Sequence, residues 1–214
     1  MKINNTNGSA LFLIILYLVG FVGTIQSVDW VQNATPIHLL VCLGLFIWCE
    51  KTKWSPKQIL TAAALFVFGV AIEWIGVKTK LPFGAYHYGE RLGLQLDGIP
   101  LTMGINWLLL SLLSAELTRA LLSDKNILLQ ALAASFLMVL TDLPMERICA
   151  ELDFWYWNLG AAPLQNYVAW FVLGVGVQLL LLRSRKGLAI NPLAWILYVL
   201  QLLFFSGLIL FLKD

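Results

Sequence analysis

Long apolar runs, broken by short polar or basic connections, are what most constrain this chain. Seven can be marked out: Ala10–Val28, Pro36–Cys49, Gln58–Val77, Pro100–Leu122, Ile127–Arg147, Pro163–Leu182 and Pro192–Leu212. A helix of about 20 residues crosses a hydrocarbon core of about 30 Å, a length that all but the 14-residue second run reach. Backbone groups in lipid must bond within their own segment, and no period-2 alternation is visible, so helices are expected and a barrel is not. With 60% hydrophobic residues, a mean hydropathy of +0.81 and 12% charged residues, the 214 residues read as a single integral membrane domain. The expected fold class is an all-α bundle of about seven transmembrane helices. The first run has no small-residue cleavage motif after it and is read as a retained helix.

Few polar residues interrupt these runs, and they fall at one depth. Glu73, Asn106, Asp142, Glu146 and Asn166 all lie toward the same end of their helices. An acid at the bilayer centre costs about 2.5–3.5 kcal/mol on insertion scales, so such residues usually face an interior site. Five together predict a polar pocket that caps an apolar cavity. Glu116 lies toward the opposite end, where a structural pairing with Arg119 at i+3 is expected.

Basic residues divide unevenly between the two sides. Nine of the 14 (Lys2, Lys51, Lys53, Lys57, Arg119, Lys125, Arg183, Arg185 and Lys186) fall on one side. Lys78, Lys80, Arg91, Arg147 and Lys213 fall on the other. The bias puts the N-terminus in the cytoplasm and the acids toward the outer leaflet. A net charge of +2, scattered over helix ends, offers no nucleic-acid surface. Cys42, Cys49 and Cys149 show no metal spacing, and His38 and His87 make no ligand pattern, so no metal site is expected.

Two long connections, Lys78–Ile99 and Ile148–Ala162, lie on the acid-bearing side and are rich in aromatics, Gly and Pro. They are read as aromatic lids that pack back on the bundle or sit at the membrane interface. The two also resemble each other. Tyr86-x-Tyr88 precedes Pro100, with Trp107 seven positions on, and Trp155-x-Trp157 precedes Pro163, with Trp170 seven positions on. A parallel repeat enclosing one cavity accounts for this, as does chance among aromatic-rich membrane segments. Trp155 and Trp157 are expected to line the cavity with only one of them facing it, and Trp74 to cluster at the same end.

Asp142 and Glu146, at i and i+4, share a helix face. Pro144 lies between them, where it can kink or end the helix, and Arg147 follows, where it can tune a carboxylate. Two acids in unequal surroundings make a general acid/base pair. The competing reading is an interfacial salt-bridge cluster. Asn106 and Asn166 can position a water or a hydroxyl, or simply bridge helices. No phosphate loop, Rossmann fingerprint, heme signature or Gly-x-Ser-x-Gly elbow is present. That leaves acid/base chemistry without a cofactor, or transport.

Two motifs carry a resemblance. Phe83-Gly-Ala-Tyr86-x-Tyr88-x-x-x-Leu92-Gly93-x-x-Leu96-x-Gly98-Ile-Pro100, followed by Asn106-Trp107, is the first; Asp142-x-Pro144, Trp155-x-Trp157 and Pro163-Leu-x-Asn166-x-x-x-Trp170 form the second. Together they resemble the integral-membrane carotenoid biosynthesis family of the bisanhydrobacterioruberin, γ-carotene and lycopene hydratases. Gly160-Ala-Ala-Pro163 departs from the Tyr-Gly-Val-Pro-like approach expected there. The resemblance implies a multi-pass plasma-membrane enzyme that adds water to the terminal C1=C2 bond of an acyclic carotenoid, such as lycopene, γ-carotene or a C50 analogue. It implies no cofactor, and lipid as the surrounding partner. Catalytic roles then fall to Asp142, Glu73 and Glu146. Substrate contacts fall to Tyr86, Tyr88, Asn106, Trp107, Trp155, Trp157, Asn166 and Trp170. A membrane carotenoid cyclase or a lipid or small-solute transporter are the alternatives.

Overall fold

The computed structural model describes residues 5–212, which form eight helices and four short strands. The helices are α1 (Asn5–Ile25), α2 (Asp29–Gln32), α3 (Thr35–Trp48), α4 (Pro56–Thr79), α5 (Thr102–Leu121), α6 (Ile127–Ile148), α7 (Leu164–Ser184) and α8 (Ala194–Leu212). The strands are β1 (Tyr86–Tyr88), β2 (Gln95–Leu96), β3 (Ile99–Pro100) and β4 (Trp155–Trp157). Lys2 and Lys213, which entered the charge count, lie outside the described residues.

Five helices, α1, α4, α6, α7 and α8, are long and apolar enough to cross a membrane. This is the build of a multi-pass membrane protein, but the helices are not seven alike. Helix α3 is short, α2 is a single turn beyond the expected set, and α5 runs through the centre with every residue from Thr102 to Thr118 buried. Its Ser111, Ser114, Glu116 and Thr118 lower its hydropathy, and protein rather than lipid surrounds them. Helix α4 crosses α5 at Gly104, where an added Cβ would lie 2.6 Å from the Phe66 carbonyl oxygen. Only glycine permits that approach.

Local signals set the helix starts. Ser55 and Gln58 form a reciprocal capping box ahead of Pro56 in α4, and the Asn126 side chain accepts from the Leu129 N–H in α6. Pro144 does not end α6, which continues to Ile148.

At the basic end a buried ionic cluster ties four segments together. Arg185, 1% exposed, bonds both Glu50 oxygens at 2.9 and 3.0 Å and Glu116 at 2.6 Å. Arg119 pairs with Glu116 as expected, and the Asn191 backbone N–H donates to Glu116 at 2.9 Å. Arg185, counted from sequence as a loop charge, is therefore an internal one.

At the other end the two long connections meet. Strands β1 and β4 pair antiparallel in the register Tyr86↔Trp157, His87↔Tyr156, Tyr88↔Trp155. The Gly89 N–H donates to the Phe154 carbonyl at 2.9 Å, and the Asp153 carboxylate accepts from the Glu90 N–H. Trp107 stacks on Trp170 at 4.0 Å and 9°. Positions equivalent in the two halves thus touch each other, as a two-fold relation between α4–α5 and α6–α7 would produce.

Candidate active site

Along the β1–β4 ladder side chains alternate between faces. Tyr86, Tyr88, Trp155 and Trp157 turn inward, while His87 and Tyr156 stack on the outside at 5.3 Å. Both tryptophans therefore face the interior. The expectation that only one would is corrected by the pleat itself, since residues two apart share a face.

Each half delivers a glutamate held by three donors to this layer. In the first, Glu73 accepts from the Tyr86 hydroxyl at 2.5 Å, the Tyr88 hydroxyl at 2.7 Å and the Trp107 indole N–H at 2.9 Å. In the second, Glu146 accepts from Trp157 at 2.6 Å, Trp155 at 3.0 Å and the Asn166 amide at 2.9 Å. Burial, and then the nearby Glu73 charge, push both tyrosine hydroxyls well above their ordinary range, so they stay protonated and remain donors. Asp142 receives one hydrogen bond, from the same Asn166 amide at 3.3 Å. Asn166 therefore straddles the two acids one helical turn apart.

These groups enclose a chamber of about 20 Å³, room for roughly one water. Glu73, Asp142, Glu146, Tyr86, Tyr88, Asn106, Trp155, Trp157, Asn166 and Trp170 line it, all named from the sequence. Trp107 does not line it but holds Glu73 and backs Trp170. Phe83 and Met103 line it too and were not foreseen. Met103 sits three residues after Pro100, where the second half carries Asn166 three after Pro163; reading the repeat position by position would have found it.

A second, apolar cavity of about 170 Å³ adjoins the chamber. Met103, Asn106 and Trp155 belong to both walls. Its other walls come from α1 at Tyr17 and Gly20, α3 at His38 and Val41, α6 at Met145 and α8 at Phe204 and Phe205. The exposed Val19, Trp30 and Ile37 mark its mouth beside α2. Helices α1, α3 and α8 showed only hydropathy in the sequence, so their part in the cavity had no readable signal.

Two expected neighbours are elsewhere. Arg147 is exposed and makes no ion pair among the described residues, so it does not tune Asp142 or Glu146. Trp74 is 45% exposed and donates to Asp97 at 2.8 Å, outside the chamber. That bond and Lys78 hold the Asp97 carboxyl below its usual range. The three cysteines are free and buried. No group of three or more His, Cys, Asp or Glu suited to a metal occurs among the described residues.

A family model described as carotenoid biosynthesis protein matches residues 10–213. Bisanhydrobacterioruberin hydratase from Haloarcula japonica is 28% identical over 121 residues, covering 54% of this chain and 41% of that hydratase. The match thus spans less than half the length of this curated relative. No solved structure matches the chain. The family model extends across both motif-bearing halves and their flanking helices, and the chain belongs to the carotenoid biosynthesis protein family.

Proposed function

We propose that the chain hydrates the terminal C1=C2 double bond of an acyclic carotenoid end group, giving a tertiary alcohol without a cofactor. The observation that carries the reading is a water-sized chamber walled by three acids, sharing Met103, Asn106 and Trp155 with an apolar cavity. The end of an isoprenoid chain fits that cavity, and the rest of the polyene leaves through the mouth into lipid. A substrate end and a water can then meet beside an acid.

Asp142 is the proton donor. Glu73 and Glu146 each collect three donors, which suits acceptor-only carboxylates, whereas Asp142 has one and capacity to spare. The proton goes to C2, leaving positive charge at C1. The water oxygen bonds C1 and yields its proton to Glu146; a water in the chamber returns it to Asp142, and the Asn166 amide, donating to both acids, holds the two carboxyls side by side. The sum is addition of one water. Asn106, on the boundary between the two spaces, orients the water or the new hydroxyl.

The remaining helices, α3 and α5, complete seven crossings in a cell membrane, with the N-terminus cytoplasmic and lipid around the bundle. Co-expression in a lycopene-producing host tests the activity. Pigments should gain the mass of one water; an isomer would make the protein a cyclase, and unchanged pigment would favour transport. Asp142→Asn should lower conversion ~100-fold or more while the protein stays inserted. Full conversion by that variant would remove Asp142 from the role.

A further inference from the structure

Three carboxyl groups surround one small chamber, yet no Lys, Arg or His pairs with any of them among the described residues. Glu73 is 3% exposed, with three hydrogen-bond donors and no cation. Three donors hold Glu73 as an acceptor carboxylate, and a carboxylate buried without a counter-charge favours any positive charge that enters. A second observation shows where an occupant would lie. Asn106 is 5% exposed, its side chain makes no hydrogen bond among the described residues, and it lines both the chamber and the apolar cavity. A polar side chain without a protein partner thus stands on the boundary an occupant would cross from the apolar side.

Aromatic faces are the usual alternative for holding a cation, and two of the rings here already have another task. Trp107 and Trp170 each cover one face of the other, and Trp155 and Trp157 donate their N–H edges to Glu146, so the carboxylate of Glu73 is the full negative charge on the opposite wall.

We propose that Glu73 is the fixed counter-charge of the chamber, and that the site binds an isoprenoid end group bearing positive charge at its branched tertiary centre more tightly than the neutral isostere. The inference rests on the hydration reading and adds to it a role and a ligand class. When the π pair of C1=C2 takes the Asp142 proton at C2, C1 becomes positive. Glu73 offsets that charge until the water oxygen bonds C1 and its proton passes to Glu146. Glu73 itself gains no proton and forms no bond.

Two probes isolate the charge: an isoprenoid chain ending in trimethylammonium, and the same chain ending in tert-butyl. Binding to the purified full chain is read as thermal stabilisation, which needs no turnover. Comparing wild type with Glu73→Gln cancels the partition of each probe into detergent. Wild type should prefer the ammonium probe, relative to Glu73→Gln, by roughly tenfold or more, the scale of a close desolvated charge pair. Glu73→Asp should keep the preference. An equal preference in wild type and Glu73→Gln overturns the proposal. Should Glu73→Gln fail to fold, a wild type that binds the two probes alike overturns it by itself. Pigment mass from wild-type cells separates the two ideas. Hydrate without ammonium preference sinks the counter-charge alone, and ammonium preference without hydrate sinks the hydration reading alone.

Discussion

At the residue scale, the tryptophans of the second half serve Glu146 through their edges. Trp157 donates at 2.6 Å and Trp155 at 3.0 Å to the same Oε2. Replacing Trp157 by Phe keeps an aromatic face but deletes the N–H, and Leu deletes both. Losing one donor to a buried carboxylate costs about 1–3 kcal/mol. Trp157→Phe and Trp157→Leu are therefore expected to slow conversion by similar factors, measured as initial rate on one substrate. A graded decline from Trp through Phe to Leu would show instead that the π face matters. Gly76 limits the same layer from the other half. A Cβ there would fall 2.8 Å from the Tyr86 hydroxyl oxygen and 2.7 Å from the Phe83 ring. Glycine is what lets Tyr86 reach Glu73.

At the element scale, the two long connections act as one clasp, and the mouth of the cavity is not between them. Val19, Trp30 and Ile37, which mark the mouth, belong to α1, α2 and α3. His87 and Tyr156 face each other outside the chamber in the β1–β4 register. Directly opposed strand residues have Cα separations of about 4.5–5.5 Å, within disulfide range. The double variant His87→Cys, Tyr156→Cys should crosslink on oxidation and retain conversion, because the proposed entry for substrate is the mouth past α2. Loss of conversion on oxidation, restored by reduction, would show that the connections must part. At the opposite end, Arg185→Met leaves Glu50 without a cation and Glu116 with Arg119 as its one ion-pair partner among the described residues. Breaking a buried pair from one side costs about 3–5 kcal/mol, so the variant should melt earlier. A melting temperature equal to wild type would show that the cluster is not a fastener.

At the scale of the whole molecule, the polar chamber and the ionic cluster occupy opposite ends of one bundle. Helices α4 and α6 run toward the chamber, and α5 and α7 run back to the ionic end. Basic residues crowd the ionic end, and the proposed orientation, argued from the positive-inside bias, has that end in the cytoplasm. A C-terminal reporter active only in the cytoplasm should therefore stay silent, and strong signal would invert the molecule without disturbing the site. Burying Arg185 takes one charge out of that bias, so Lys51, Lys53 and Lys57 carry more of it.

The apolar runs by themselves determined a helical membrane bundle, because lipid admits no other internally bonded backbone for runs of this length. The placement of Glu73, Asp142, Glu146 and Asn166 near one end determined that a polar site would form there, since isolated acids cannot face lipid. The alternation in Tyr86-x-Tyr88 and Trp155-x-Trp157 was equally legible, although its shared face was misread. Which donor meets which acid was decided only by tertiary structure: Trp107 reaches Glu73 across 34 positions, and Asn166 reaches Glu146 across 20. The same holds for Arg185, 135 positions from Glu50 and 69 from Glu116, and for the apolar cavity, whose walls come from helices alike in hydropathy. Hydropathy sets the depth at which a side chain lies in a membrane; the packing of one helix against another chooses its partner.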